Sequence, residues 1–318
     1  MRTKNLLLLI TLTIFLFKSI GCNIVAYYEE DILLNQAKQQ LNNNELSEAY
    51  ELTEEALSID PDNIVAHYYK SKIYKRLDNY IKAYEYILEA ERILKEKQKL
   101  NDVDNYVKFK VYKTKGEIYI GRLMYEGPHF TEKAIITLKK ALEIENIEYD
   151  NLFDVYVSLG AIYSTNGNWE KSLYYRKKAH EIEPENIFII YDLAITFFKL
   201  NKFNQGASYF NTITERRTKF NNLVNEGYAI YYLEKGNYEK SLNYLQKVEE
   251  PEWIYANYYK VVGDRKKARE YLKKEFDKHI ASINTYHGRA LAEELNLDLA
   301  EYEKRLNNKR EEAYSREP

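Results

Sequence analysis

Small apolar residues return along this chain with a fixed rhythm. Ala49 and Ala56 precede Pro61, and Ala83 and Ala90 stand 34 residues further on, each set spaced as one face of a helix. A second rhythm pairs a small residue with an aromatic three positions later: Gly116 with Tyr119, Gly160 with Tyr163, Ala194 with Phe197 and Ala229 with Tyr232. Three positions is nearly one helical turn, so the small residue admits a crossing helix and the ring fills the space beside it. A period in this range predicts a solenoid of helical hairpins, in which each unit is too small to bury its apolar face alone and stacks on its neighbours.

Five Pro and eleven Gly in 318 residues leave long uninterrupted helices, and Gly167, Gly236 and Gly263 fall where turns are needed. The 32 Tyr read first as inter-helix packing. Between Gly116 and Ala134 the period is lengthened by an insertion that includes Met124, Tyr125 and Phe130, which predicts a loop projecting from one edge. At the far end, Leu291, Leu295, Leu299, Tyr302 and Leu306 keep a helical spacing. They predict a single capping helix from Ala290 that seals the last repeat, followed by a frayed polar tail beyond Asn307.

These residues resemble the tetratricopeptide repeat family, whose hairpins carry small and aromatic residues on helix A, an Ala on helix B and a closing Pro. Ala37, Ala49, Ala56 and Pro61 match in the first unit, and Ser71, Tyr74, Ala83 and Ala90 in the second. Leu159, Gly160, Tyr163, Gly167, Ala179 and Pro184 match in the fourth, with Ser172 in place of an Ala. The fifth is weaker, with Gly206, Phe210 and Ile213, while the sixth and seventh keep Gly236 with Ser241 and Gly263 with Ala268. The resemblance implies an all-α, right-handed solenoid over 30–282, of about seven hairpins at 30–63, 64–97, 109–148, 153–186, 187–220, 222–250 and 251–282. A capping helix and polar tail follow at 283–318.

The amino terminus carries Arg2 and Lys4, an apolar stretch from Leu6 to Phe17, then Ser19, Ile20, Gly21 and Cys22. That layout predicts a secretory signal over 1–21, shorter in its apolar part than the roughly 20 residues that span a bilayer. Cys22 is the only cysteine, so it forms no intramolecular disulfide. Its place after Gly21 resembles the lipobox of bacterial lipoproteins, although Ser19 stands where Leu is preferred and Lys18 lies close to the cut. The resemblance implies acylation of Cys22, a lipidated linker at 22–29 and, with Asn23 next, a place on the periplasmic side of the outer membrane or at the cell surface.

Without residues 1–21 the chain holds 44 basic and 49 acidic residues, a net of −5, which offers nucleic acid no general attraction. The charge is segregated. Tyr27 to Asn63 has ten acids and one base, Lys38, whereas Ile64 to Lys115 has thirteen bases and seven acids. In the family, helix A lines the concave groove. That register places Lys38, Lys72, Lys75, Lys110 and Lys113 there in the early units, and Phe188, Tyr191, Ile195, Phe198, Leu233 and Trp253 in the later ones. The implied partner is a peptide or protein with an acidic part and apolar anchors. The paired Lys and Asn of chaperone-binding relatives are absent, since the corresponding positions hold Leu34 with Lys38 and Tyr68 with Lys72.

His67, His129, His180, His279 and His287 form no metal-ligand spacing, and there is no phosphate loop, nucleophile elbow or dinucleotide fingerprint. No enzyme and no cofactor is expected. Two function classes follow: a membrane-anchored protein-interaction scaffold, or a transport accessory that carries a small apolar ligand in a pore lined by Phe198 and Ile195.

Overall fold

The computed structural model describes residues 29–98, 103–216, 220–249, 251–279 and 286–318. The expected signal segment 1–21 and Cys22 lie outside them. The first helix, α1, covers residues 29–43. There follow α2 (Leu46–Ile59), α3 (Ile64–Arg76), α4 (Tyr80–Gln98), α5 (Asn105–Glu126), α6 (Thr131–Leu142), α7 (Phe153–Thr165) and α8 (Trp169–Ile182). Then come α9 (Ile187–Lys199), α10 (Phe203–Arg216), α11 (Asn221–Glu234), α12 (Tyr238–Leu245), α13 (Glu252–Val261), α14 (Arg265–Lys278), α15 (Tyr286–Glu294) and α16 (Ala300–Tyr314). No strand occurs among the described residues. The chain divides into two compact units. One holds the described residues up to Thr114 together with Ala313–Pro318, and the other Lys115–Glu312.

Consecutive helices pair as hairpins, odd-numbered A with even-numbered B, and most turns close alike. One residue takes a left-handed conformation, and the next N–H reaches the carbonyl five positions back, as in a Schellman closure. Gly167 (φ 70°) and Gly236 (φ 72°) do this with glycine; Asn44 (66°), Asp78 (60°), Asn201 (60°) and Asn296 (53°) do it without. The closing bonds run from Asn79 to Tyr74, from Asn168 to Tyr163 and from Asn237 to Tyr232, each 2.9 Å.

The two helices of a hairpin are fastened at two levels. A serine hydroxyl crosses to a backbone carbonyl twelve residues away: Ser71 to Ala83 (2.9 Å), Ser172 to Gly160 (2.9 Å) and Ser241 to Ala229 (2.8 Å). The helix A aromatic then stacks on a helix B aromatic, also twelve residues on. The pairs are Tyr74–Tyr86 (5.5 Å between centroids), Tyr163–Tyr175 (5.6 Å), Phe197–Tyr209 (5.6 Å), Tyr232–Tyr244 (5.6 Å) and Tyr259–Tyr271 (5.5 Å). Planes lie within 16° of parallel, and each such pair stabilises by about 0.5–1.5 kcal/mol beyond its buried area. A lysine eight residues after the first ring covers it in four of the five: Lys82, Lys171, Lys240 and Lys267, at 4.9–5.3 Å.

The charge segregation has a structural use in the first unit. Lys70, buried on α3, pairs with Glu54 of α2, and Arg92 of α4 pairs with Asp62 at 3.0 Å. In the second unit, α9 packs closely on α11 and α11 on α13, while among the described residues no comparable packing joins successive B helices. The side on which neighbours crowd is the inner side, so A helices line it.

Three expectations change. The insertion after Gly116 is no projecting loop: α5 runs on to Glu126, Gly127 turns at φ 107°, and a 3-10 turn Pro128–Phe130 leads into α6. Phe130 is buried against Tyr119 beneath Arg122, Tyr125 packs against the cluster that includes Leu272, Phe276 and Leu295, and Met124 remains exposed. The capping segment is a hairpin instead of one helix, because Asn296 turns the chain between α15 and α16. Its Leu291, Leu295, Tyr302 and Leu306 bury against Ala268, Leu272 and Phe276 of α14. The chain stays helical past Asn307 as far as Tyr314.

Glycine on a helix marks the tightest crossings. A Cβ on Gly227 would lie 1.9 Å from Cζ of Phe210, and one on Gly116 2.5 Å from Leu138. Gly→Ala inside a helix ordinarily gains about 1 kcal/mol. Gly227→Ala is expected to destabilise by about 1–3 kcal/mol instead, the cost of overpacking, measured by chemical denaturation; a gain in stability would contradict the crossing described.

Candidate functional site

The basic candidates all lie in the first unit, on A helices: Lys38 on α1, Lys72 and Lys75 on α3, Lys110 and Lys113 on α5. Two of them, Lys72 and Lys110, converge on one ring. The ammonium of Lys72 stands 5.6 Å from the ring centroid of Tyr68, and that of Lys110 stands 5.5 Å from the same ring and 4.6 Å from Tyr106. Burial, and then the charge of Lys38, hold Lys110 below the ordinary lysine range, while Asp104 opposes them. Tyr68 is itself buried and tilted on Tyr69 at 5.3 Å, and burial pushes the Tyr69 hydroxyl up to about 12. Lys75 and Lys113 are half-buried nearly one turn further along their helices. Like charges gathered over one aromatic floor favour an anion that relieves their repulsion.

The apolar candidates lie in the second unit. Phe188, on the first turn of α9, is 68% exposed and meets Phe220 edge-on at 6.4 Å. One turn along, Tyr191 packs on Phe210 at 5.8 Å and donates its hydroxyl to Glu226 of α11. Burial, followed by the Glu226 charge, keeps that phenol well above its usual range, and burial raises Glu226 against the bond from Tyr191. Beside them, the buried Arg176 of α8 pairs with Asp192 at 3.3 Å, donates to the Asp192 carbonyl at 3.1 Å and bonds Thr196. Burial pulls Arg176 down and Asp192 up, each opposed by the other's charge.

The remaining apolar candidates separate. Ile195 is half-buried on the same helix, and Trp253 is half-buried between the cluster of Leu233 and Leu245 and that of Leu272 and Phe276. Phe198 is 1% exposed and Leu233 8%, so both are core and not groove. The reason is local. Gly206 brings α10 within contact of Phe198, and the rings of Phe203, Phe210 and Tyr231 close over it at 4.6–5.6 Å. Phe198 therefore lines no pore. An open cleft of about 420 Å³ lies elsewhere, between α8, α9 and α10, lined in part by Lys177, Phe197 and Tyr209.

Sequence reasoning missed Glu226, because an acid one position before a crossing glycine looks like any solvated helix residue. It also missed the Tyr106 floor, for which three Lys at A-helix positions beside aromatics were the available signal. The described histidines serve in packing or lie exposed: His67 stacks on Tyr86, His180 meets Tyr209 edge-on, and His279 faces solvent. No group of three His, Cys, Asp or Glu able to hold a metal, and no helix long and apolar enough to cross a membrane, occurs among the described residues.

Comparison with solved structures places this architecture. The chain is similar to a tetratricopeptide repeat protein from Parabacteroides merdae, with 17% identity, a TM-score of 0.58, and 85% of this chain and 98% of that one covered. It also aligns with PilF of Pseudomonas aeruginosa (15% identity, TM-score 0.49, 83% and 98% covered) and with PilW, a type IV pilus biogenesis factor (17%, 0.47, 78% and 92%). No family model and no curated protein matches the sequence. The fold is a tetratricopeptide-type α-solenoid.

Tyr191→Phe leaves the half-buried Glu226 without its donor. The expected loss is about 1–3 kcal/mol. Because burial raises the Glu226 carboxyl, the loss should be largest where Glu226 is ionised and shrink as pH falls through the range in which it takes up a proton. Denaturation curves at several pH values check this; a loss independent of pH would contradict the pairing.

Proposed function

We propose that this chain is a non-enzymatic protein-interaction scaffold of the bacterial envelope, tethered through lipid on Cys22 and docking peptide or protein partners on its A helices. The observation that carries the docking half is the convergence of Lys72 and Lys110 on Tyr68, with the charge of Lys38 acting on Lys110. Such a patch suits carboxylates, which gain from several ammonium groups at once and from a floor that excludes water. On the second unit, exposed Phe188 beside Tyr191 and Phe220 supports docking of an apolar side chain, since aromatic anchors dominate interface energetics. The tether half is supported by the charged start, the apolar stretch and the single cysteine after Gly21.

A deca-glutamate peptide is expected to bind the full chain with an affinity that falls as salt rises. Changing Lys38→Glu, Lys72→Glu and Lys110→Glu together should weaken it at least about tenfold, about 1.4 kcal/mol. Unchanged binding would remove the docking half. Separately, radiolabelled palmitate fed to expressing bacteria should enter the intact chain and not the Cys22→Ser variant; equal labelling of both, or of neither, would remove the tether half.

A further inference from the structure

The turn between α3 and α4 differs from its counterparts in what covers it. Asn79, Asn168 and Asn237 occupy the same place in their hairpins, and each caps its helix B through its side-chain oxygen, accepting from Lys82, Lys171 and Lys240 respectively. Asn168 is half-buried and Asn237 exposed, yet Asn79 is 0% exposed. Its amide nitrogen donates to the carbonyls of Tyr314 (2.8 Å) and Arg316 (3.1 Å), at the end of α16.

The same segment is held by its side chains. Glu317 accepts from the Tyr74 hydroxyl at 2.8 Å and forms an ion pair with Lys82, while Arg316 reaches Asp78 at 3.2 Å and the Leu77 carbonyl at 3.4 Å. All these receptor groups lie within the nine residues from Tyr74 to Lys82, and all belong with 313–318 to the first unit. The Lys82 ammonium, and then the bond from the Tyr74 hydroxyl, hold the Glu317 carboxyl below its usual range. The grip has two parts. Asn79 reads backbone carbonyls, which a helix leaves unbonded only at its C-terminal turn. Tyr74 and Lys82 read a carboxylate, and Asp78 reads the guanidinium before it.

We propose that the α3–α4 turn is a peptide-recognition site for a helix end followed by an arginine–glutamate pair, and that residues 313–317 of this chain are its resident, displaceable ligand. Tyr74, the nearest receptor group, stands six residues beyond Tyr68 on α3, about 9 Å along the helix. A ligand carried on the same chain acts at an effective concentration on the order of millimolar, so it screens the site from partner segments of like chemistry until it is released.

The test uses a fluorescein-labelled peptide of residues 307–318, titrated into the full chain and into the full-chain variant Arg316→Ala with Glu317→Ala. The variant, with its own segment weakened, is expected to bind the peptide at least about tenfold more tightly than the unmodified chain. Adding Lys82→Glu, at a partly exposed position, should abolish that binding, and a peptide carrying Glu317→Lys should restore it. Binding should also fade as pH drops through the range in which the peptide's glutamate is protonated. Equal affinity for unmodified and weakened chains, no binding to the weakened chain, or indifference to Lys82→Glu would overturn the proposal.

Discussion

The structure depends on how closely two helices of a hairpin can cross. Gly160, Ala229 or Ser71 on helix A leaves room for the helix B backbone, and the crossing is then locked by a stacked ring pair beside it. Both devices recur at a separation of twelve residues, which fixes the length of the turn and the phase of helix B against helix A. With the phase fixed, each hairpin exposes the same apolar face to the next. That face is too small to be buried inside one hairpin, so stacking is obligatory. In the terminal hairpin α15–α16, leucines and Tyr302 supply the final cover over α14.

Helical pairing was legible in the sequence because it is written in small residues, and small residues at helical spacing have few other uses. The turns were half legible. Gly167, Gly236 and Gly263 announce a left-handed residue, but Asn44, Asp78, Asn201 and Asn296 adopt the same conformation without glycine. Asn296 was hidden further by Leu295 and Leu299, which continue the apolar stripe across the break, so two helices read as one. The ring partners on helix B were present as aromatics twelve positions on, a spacing that local periodicity does not test. The grip on residues 313–317 joins positions 235 to 243 apart, and nothing local foreshadows it.

The candidate site was legible to a similar degree. The A-helix register brought Lys72 and Lys110 to one aromatic floor and left Phe188 exposed. It misplaced Phe198 and Leu233, because the inner face of a helix in a solenoid is divided between groove and inter-hairpin core, and the division depends on how near the next helix comes. Gly206 and Gly227 set that distance for α10 and α11. The bulk of neighbouring residues, not the position on the helix alone, decides which side chains remain for a partner.

On the proposed reading, function on this scaffold resides in what the A helices leave uncovered. Hydrogen exchange measured on the full chain with and without a saturating acidic peptide tests this most directly. Slowed exchange along α1, α3 and α5 around Lys38, Tyr68 and Lys110, with helix B amides unchanged, is the expected result. Protection confined to the B helices would contradict the account.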